Sequence, residues 1–254
     1  MKPLIFLAAA LLFAPDALAW GLQTHVFLAQ WALAAVPFAD PRFRAAVLRF
    51  PRLVLAGACM PDLALAGRML GLKDFRKSHQ WSTLRSFAGA SSDEERAIAV
   101  GYGSHLLADV VAHNRFVPEH ERRIVDIPHF THALCEWAMD EHLSRGLRAQ
   151  PGELLADERA TLAQAAGAAF GCREAVARHA LCVLGAAERL LRASRLPRLC
   201  RKTMGLLESS AHFDAYIGDA AGLVRRIDAV LRGEAPRWQP EPDPGQAMAH
   251  EAPA

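Results

Sequence analysis

Gly101–His113 reads GYGSHLLADVVAH, and its spacing decides the fold. His105, Asp109 and His113 stand four residues apart, twice over. On an α-helix each such step turns about 40° and climbs about 6 Å, so the three side chains fall along one face. Imidazole, carboxylate, imidazole in a row offers neutral nitrogen and anionic oxygen donors on a rigid support, the donor types of a zinc site. Leu106, Leu107, Val110 and Val111 supply the apolar positions around them. The competing reading is an apolar stripe broken by polar residues. One isolated histidine would leave that reading in front; three ligand residues in register do not.

Upstream, Ser92-x-x-Glu95 is a capping box, and Asp93 and Glu94 also suit a helix start. The long helix it opens runs to about Arg115. Pro118–Pro128 is charged and reads as an irregular surface loop. Phe130–Leu143 is a further helix, and His132, Glu136 and Asp140 again stand four apart on one face. Trp20 to Ala35 reads as a helix closed by Pro37 and Pro41, and Ala45–Phe50 as a short one ended by Pro51. Leu53–Leu72 contains GACMPD, where Pro61 places Asp62 at a corner. Lys73–Trp81 is polar and loop-like and holds His79. Glu153–Ala169, Glu174–Ser194, Leu199–Glu208 and Phe213–Leu231 repeat Ala and Leu at three- and four-residue steps, as amphipathic helices do. No alternating strand pattern and no internal repeat stand out. These elements predict one all-α, multi-helix domain over residues 20–233, with 234–254 a Pro-rich disordered tail.

The chain has 254 residues, 52% hydrophobic and 22% charged, enough to bury a sizeable core. A net charge of +2 gives no argument for a nucleic-acid or anionic-membrane partner. Residues 1–19 read as a secretory signal peptide: Lys2, the apolar run Leu4–Phe13, and the Ala17-Leu18-Ala19 cleavage site. That run falls short of the roughly 20 residues a spanning helix needs. The mature chain would start at Trp20 and be exported, to the periplasm or beyond. Five cysteines follow: Cys59, Cys135, Cys172, Cys182 and Cys200. The odd number leaves at least one outside any internal bridge. A bridge among the last three and buried free thiols are equal alternatives. No C-x-x-C or G-x-S-x-G is present, so a cysteine-based zinc site and a serine hydrolase have no support.

Taken in order, these pieces resemble the zinc-dependent phospholipase C family. They are W-G-x-x-x-H from Trp20 to His25, G-x-x-x-P-D from Gly57 to Asp62, His79-x-Trp81, G-x-x-S-H-x-x-x-D-x-x-x-H with its Ser104, and His132-x-x-x-Glu136. They also resemble the catalytic domain of glycosylphosphatidylinositol-specific phospholipase D and, more distantly, trinuclear zinc nucleases. The resemblance implies about three zinc ions and a zinc-activated water that attacks phosphorus. Asp62, His79, His105 and Asp109 would hold one zinc, and His113, His132 and Glu136 a second. The α-amino group and carbonyl of Trp20, with His25 and Asp109, would hold the third. Asp109 would thus bridge two metals, and the amine would become a ligand only after cleavage. Asp62 and Asp109 are the catalytic candidates. The family's counterpart of Asp62 has been suggested as general base, although a carboxylate on a metal is a poor base unless it lets go.

The short gap from Trp20 to His25 resembles the nucleases, the four-residue step from Asp109 to His113 the phospholipase D branch, and His132-x-x-x-Glu136 the phospholipases. Taken singly, Asp62 could be a helix N-cap, His25 a helix-surface residue, and His132 with Glu136 an exposed pair. The reading that follows is an exported zinc phosphodiesterase acting on phospholipid headgroups, with peripheral membrane contact. A secreted nuclease or nucleotidase is the first alternative; it would carry base-stacking aromatics and a basic groove beside the metals. A non-catalytic metal- or lipid-binding relative is the second. Trp81 and Trp137 read as core or pocket wall, with a further use in packing on a choline-like headgroup.

Overall fold

The computed structural model describes residues 21–123 and 128–240. Residues 1–20, including Trp20, residues 124–127 of the expected loop and the last fourteen residues lie outside them, so the expectations placed on those segments stay as stated. The first half builds α1 (Leu22–Ala35), α2 (Pro41–Arg49), α3 (Pro51–Gly57), α4 (Leu63–Leu70), α5 (Trp81–Ala88) and α6 (Asp93–Val111). A π-helical turn, Ala112–Phe116, leads into α7 (Val117–Glu121) and α8 (Pro128–Leu143). The rest is α9 (Pro151–Asp157), α10 (Arg159–Phe170), α11 (Glu174–Ala193), α12 (Leu196–Met204), α13 (Ser210–Val224) and α14 (Ile227–Leu231). No strand occurs among the described residues, so the fold is all-α as expected.

The capping box that opens α6 is formed. Ser92 Oγ accepts from the Glu95 N–H at 3.1 Å and donates to Glu95 Oε2 at 2.8 Å. Every residue from Ala97 to Val111 is buried. A helix covered on all sides has no exposed stripe, because it is the axis of the core. It packs against α1, α2, α3, α5, α13 and α14. Its tightest crossing is with α3. A Cβ on Gly101 would lie 1.9 Å from the Val54 carbonyl oxygen, and a Cβ on Gly57 would lie 2.6 Å from that of Ile98. Two glycines facing each other let the two backbones touch, which no residue with a side chain could do at this distance.

Several boundaries depart from the sequence-based expectation. Pro41 opens α2 rather than closing α1: Asp40 caps it, accepting from the Arg42 N–H at 2.8 Å, and proline fits the first turn because its missing N–H is not needed there. Pro118 likewise sits in the first turn of α7, where an irregular loop was expected. The helix α5 was not anticipated; its apolar face is only Trp81, Leu84 and Phe87, set among serine, threonine and arginine. Glu158 divides the helix read across residues 153–169 into α9 and α10. Residues 236–240, read as the start of the tail, dock on the core: the Trp238 carbonyl accepts from the Trp81 indole N–H at 3.1 Å, and the Gln239 carbonyl from Asn114 at 3.2 Å. All five cysteines are free thiols; Cys59, Cys135 and Cys200 are buried, and burial pushes all three thiols up, Cys200 to about 11.

Candidate metal centre

The α3–α6 crossing places the first ligand candidates. With α6 against α3, the His105 ring reaches the Ala58 carbonyl, 2.7 Å from Nδ1. A carbonyl only accepts, so Nδ1 carries the proton and the Nε2 lone pair faces the other way. Asp109, one turn on, sets its Oδ2 3.0 Å from that Nε2. His79 comes in from the polar turn before α5, with its Nε2 3.3 Å from His105 Nε2, 3.5 Å from Asp109 Oδ2 and 3.6 Å from Asp62 Oδ1. Ser78 Oγ lies 3.3 Å from the other nitrogen of His79, and the buried Tyr102 hydroxyl donates to the Ser78 carbonyl. Asp62 occupies the N-cap position of α4 without capping it by its side chain. Its carboxylate is aimed at His79 instead.

His25, from α1, approaches the opposite oxygen: its Nε2 is 3.3 Å from Asp109 Oδ1. Its ring stacks on His105 at 3.5 Å. Asp109 therefore turns one oxygen to His25 and the other to His79 and His105. Among the described residues, the groups whose ligand atoms all lie within 4.8 Å of one another are His25, His105, Asp109 and Asp62, His79, His105. All five are buried. Neither oxygen of Asp109 has a hydrogen-bond donor, and burial pushes this carboxyl up despite the neighbouring histidines.

His113, His132 and Glu136 meet more loosely. His132 Nε2 lies 3.0 Å from Glu136 Oε1, and the His113 and His132 rings are 5.4 Å apart. His113 stands inside the π turn, not on regular α-helix. Asn114 helps hold that turn, its amide donating to the Val110 carbonyl at 2.8 Å. Neither oxygen of Glu136 has a hydrogen-bond donor, and burial, with Asp62, Asp140 and Asp109 nearby, pushes it well up.

Asp140, one turn past Glu136 on the same helix, bonds to α1 and α11 instead. It accepts from the Thr24 N–H and hydroxyl, both at 2.9 Å, and from Arg192 at 3.0 Å. It also lies so close to Gly21 that a Cβ there would be 2.2 Å from Oδ2. A buried carboxylate at the start of α1 suits the positive end of that helix. Glu188 and Arg192 of α11, missed from sequence, complete this cluster with Nε to Oε1 at 3.1 Å. Asp62, Glu136, Asp140 and Glu188 all face a cavity of about 40 Å³ edged by Gly21. Four carboxylates around so small a space call for positive charge, and Arg192 reaches only the last two.

A larger cleft, about 500 Å³, opens on the outer side of His79. Ala64, Arg68, Leu72, Lys73 and Arg76 line it with His79. Trp81 and Trp137 are not in its wall: both are buried, Trp81 bonded to residue 238 and Trp137 lining the small acidic cavity.

Compared with families of known proteins, residues 24–172, more than half of the chain, match the family described as zinc dependent phospholipase C. The match takes in His25 and all the later ligand candidates and begins just past Trp20. No curated protein and no solved structure gave a match.

Proposed function

This chain belongs to the zinc-dependent phospholipase C family, and from that premise we propose that it is an exported phosphodiesterase that hydrolyses phospholipids at the headgroup phosphate. The observation that carries the reading is Asp109: a buried carboxylate without a hydrogen-bond donor, its two oxygens turned to histidines from different elements. An orphaned buried carboxylate is costly unless a cation satisfies it. The donor set therefore fits zinc, with imidazole nitrogens and carboxylate oxygens converging. Asp62, His79, His105 and Asp109 would hold one ion, and His113, His132 and Glu136 a second; His25 and Asp109 would hold a third, with the amine and carbonyl that cleavage before Trp20 would supply. Bound zinc supplies positive charge that polarises a phosphoryl oxygen and acidifies water.

The chain's own residues set up that chemistry. The Ala58 carbonyl fixes the tautomer and ring plane of His105, so that Nε2 faces inward. Asp109 ties the histidines of α1, α6 and the His79 turn to one carboxylate and so fixes their separation. Asp62 faces His79 and also lines the acidic cavity, so its carboxylate joins the two. The Arg192–Asp140–Thr24 contacts hold the beginning of α1, and with it Gly21, at the edge of that cavity.

Peripheral contact with a membrane has support of its own. Leu199, Leu206 and Leu207 are exposed at 60%, 86% and 55%, beside the exposed cations Arg198 and Lys202. Leucines flanked by cations are what a lipid interface attracts. No helix among the described residues is long and apolar enough to cross a membrane.

The nuclease reading keeps one of its two marks. The cleft beside His79 is basic, yet no aromatic lines it, and base stacking needs one. The deciding experiment is an activity panel with zinc-loaded mature protein on short-chain phospholipids, bis-p-nitrophenyl phosphate and single-stranded nucleic acid. Phospholipid turnover abolished by chelation and restored by zinc is the expected result. Turnover of nucleic acid alone would replace this reading with the nuclease.

A further inference from the structure

The cleft beside His79 points further, to the class of headgroup. Resting on the phospholipase reading, we propose that this cleft admits uncharged polyol or phosphorylated headgroups, of the glycerol or inositol type, and rejects cationic ones such as choline. Arg68, Lys73 and Arg76 line it, and no carboxylate does. Asp74, the acid within that turn, is exposed and does not line the cleft. A quaternary ammonium is recognised by aromatic faces or by carboxylates. Neither is available here, since Trp81 and Trp137 are buried elsewhere. Lys73 and Arg76, both exposed, would repel a choline headgroup, and repulsion of the wrong ligand is as effective a source of specificity as attraction of the right one. For hydroxyls and phosphate the same side chains are donors; arginine grips phosphate with two parallel N–H groups. The volume of about 500 Å³ suits a sugar-sized group. His79 belongs both to this wall and to the candidate metal centre, so a headgroup in the cleft lies next to the phosphate that would be cut.

The test uses the zinc-loaded mature chain and monomeric short-chain phosphatidylinositol, phosphatidylglycerol and phosphatidylcholine, compared by kcat/KM below micelle-forming concentrations. The wild type should prefer the first two by about tenfold or more. The double variant Lys73→Glu/Arg76→Glu changes two exposed side chains and should bring that preference close to one, chiefly through KM. The preference should also weaken as salt is raised. Arg44→Ala, an exposed cation on α2 away from the cleft, should leave the preference as it is. Binding of inositol 1-phosphate, followed by calorimetry, should be lost in the double variant.

The outcomes separate the cleft from the enzyme. Hydrolysis of phosphatidylcholine as fast as the others keeps the phospholipase and overturns the cleft. No phospholipid turnover, with inositol phosphate binding that depends on Lys73 and Arg76, overturns the phospholipase and keeps the cleft as a polyol-phosphate site. Loss of both overturns both. Hydrolysis of single-stranded DNA that falls in the double variant gives the cleft to nucleic acid and overturns the proposal.

Discussion

Asp109 stands between three histidines, His25, His79 and His105. Asp109→Asn keeps the shape but replaces one anionic oxygen with an amide donor facing a histidine nitrogen. We expect activity to fall by about 100-fold or more, and zinc content, measured by elemental analysis, to fall with it. Wild-type metal content would remove the bridging role. Glu188 makes a pH prediction. Burial raises its carboxyl from 4.5 to about 7, against the pull of Arg192. The folded state then holds this proton more tightly than the unfolded chain. The stabilisation from that proton is complete below about pH 4.5 and is lost as pH rises through about 7. Glu188→Gln removes the titration, so in chelator it should be more stable than wild type at pH 8 by roughly 1–3 kcal/mol and lose that advantage near pH 5. Thermal melts at the two pH values check it. At this scale the spacing of His105 and Asp109 was readable because a helix turns distance along the chain into direction, whereas His113 falls in the π turn, which that spacing did not foresee. The Ala58 carbonyl was not readable, since a backbone oxygen has no letter in a sequence. Glu188 and Arg192 were not readable either: they reach Asp140 only after α11 has packed.

Among the elements, the α3–α6 crossing governs the site. Gly101→Ala forces the helices apart against the Val54 carbonyl. An overpacking cost of about 1–3 kcal/mol is expected, and the Ala58–His105 hydrogen bond should lengthen. Denaturant melts measure the first. The second shows in the histidine ring resonances, and an unchanged His105 signal would mean that the crossing does not set the ring. The π turn is the other governing element. Asn114→Ala removes a donor from the Val110 carbonyl, so the turn should tighten toward α and rotate His113 away. Zinc content should then drop by about one per chain, with the other ions retained. The long helices were legible from three- and four-residue periodicity. The π turn was not, because its cause is a side-chain contact, and α7 and Pro41 were misread because proline both ends and begins helices. The spacing put His105, Asp109 and His113 on one face of a helix with apolar residues around them, and did not say how much of the helix is covered. Ala97–Val111 is buried all round, which periodicity alone does not reveal.

For the whole molecule, the acidic cavity predicts strong coupling between metal and stability. Removing zinc leaves the carboxylates of Asp62, Glu136, Asp140 and Glu188 facing one another. Chelation should lower the melting temperature steeply, with zinc at a thousandfold over its Kd contributing about 4 kcal/mol. A melt unmoved by chelator would show that the cluster is satisfied without a cation. The all-α class was readable because helical patterning recurs through the chain. The docking of residues 236–240 was not, since carbonyls make those contacts and the composition there is that of a tail.

The free thiols carry a consequence for how this molecule survives. No covalent link braces the fold, and the buried Cys59, Cys135 and Cys200 hold their protons tightly, so they are poor nucleophiles while the chain is folded. In the unfolded chain they regain ordinary reactivity. In an oxidising compartment every molecule is therefore in a race between burying these sulfurs and having them capped. The rate at which an alkylating reagent marks them reports how often the whole structure opens, and a slow-folding variant would be caught with mixed disulfides on those three positions.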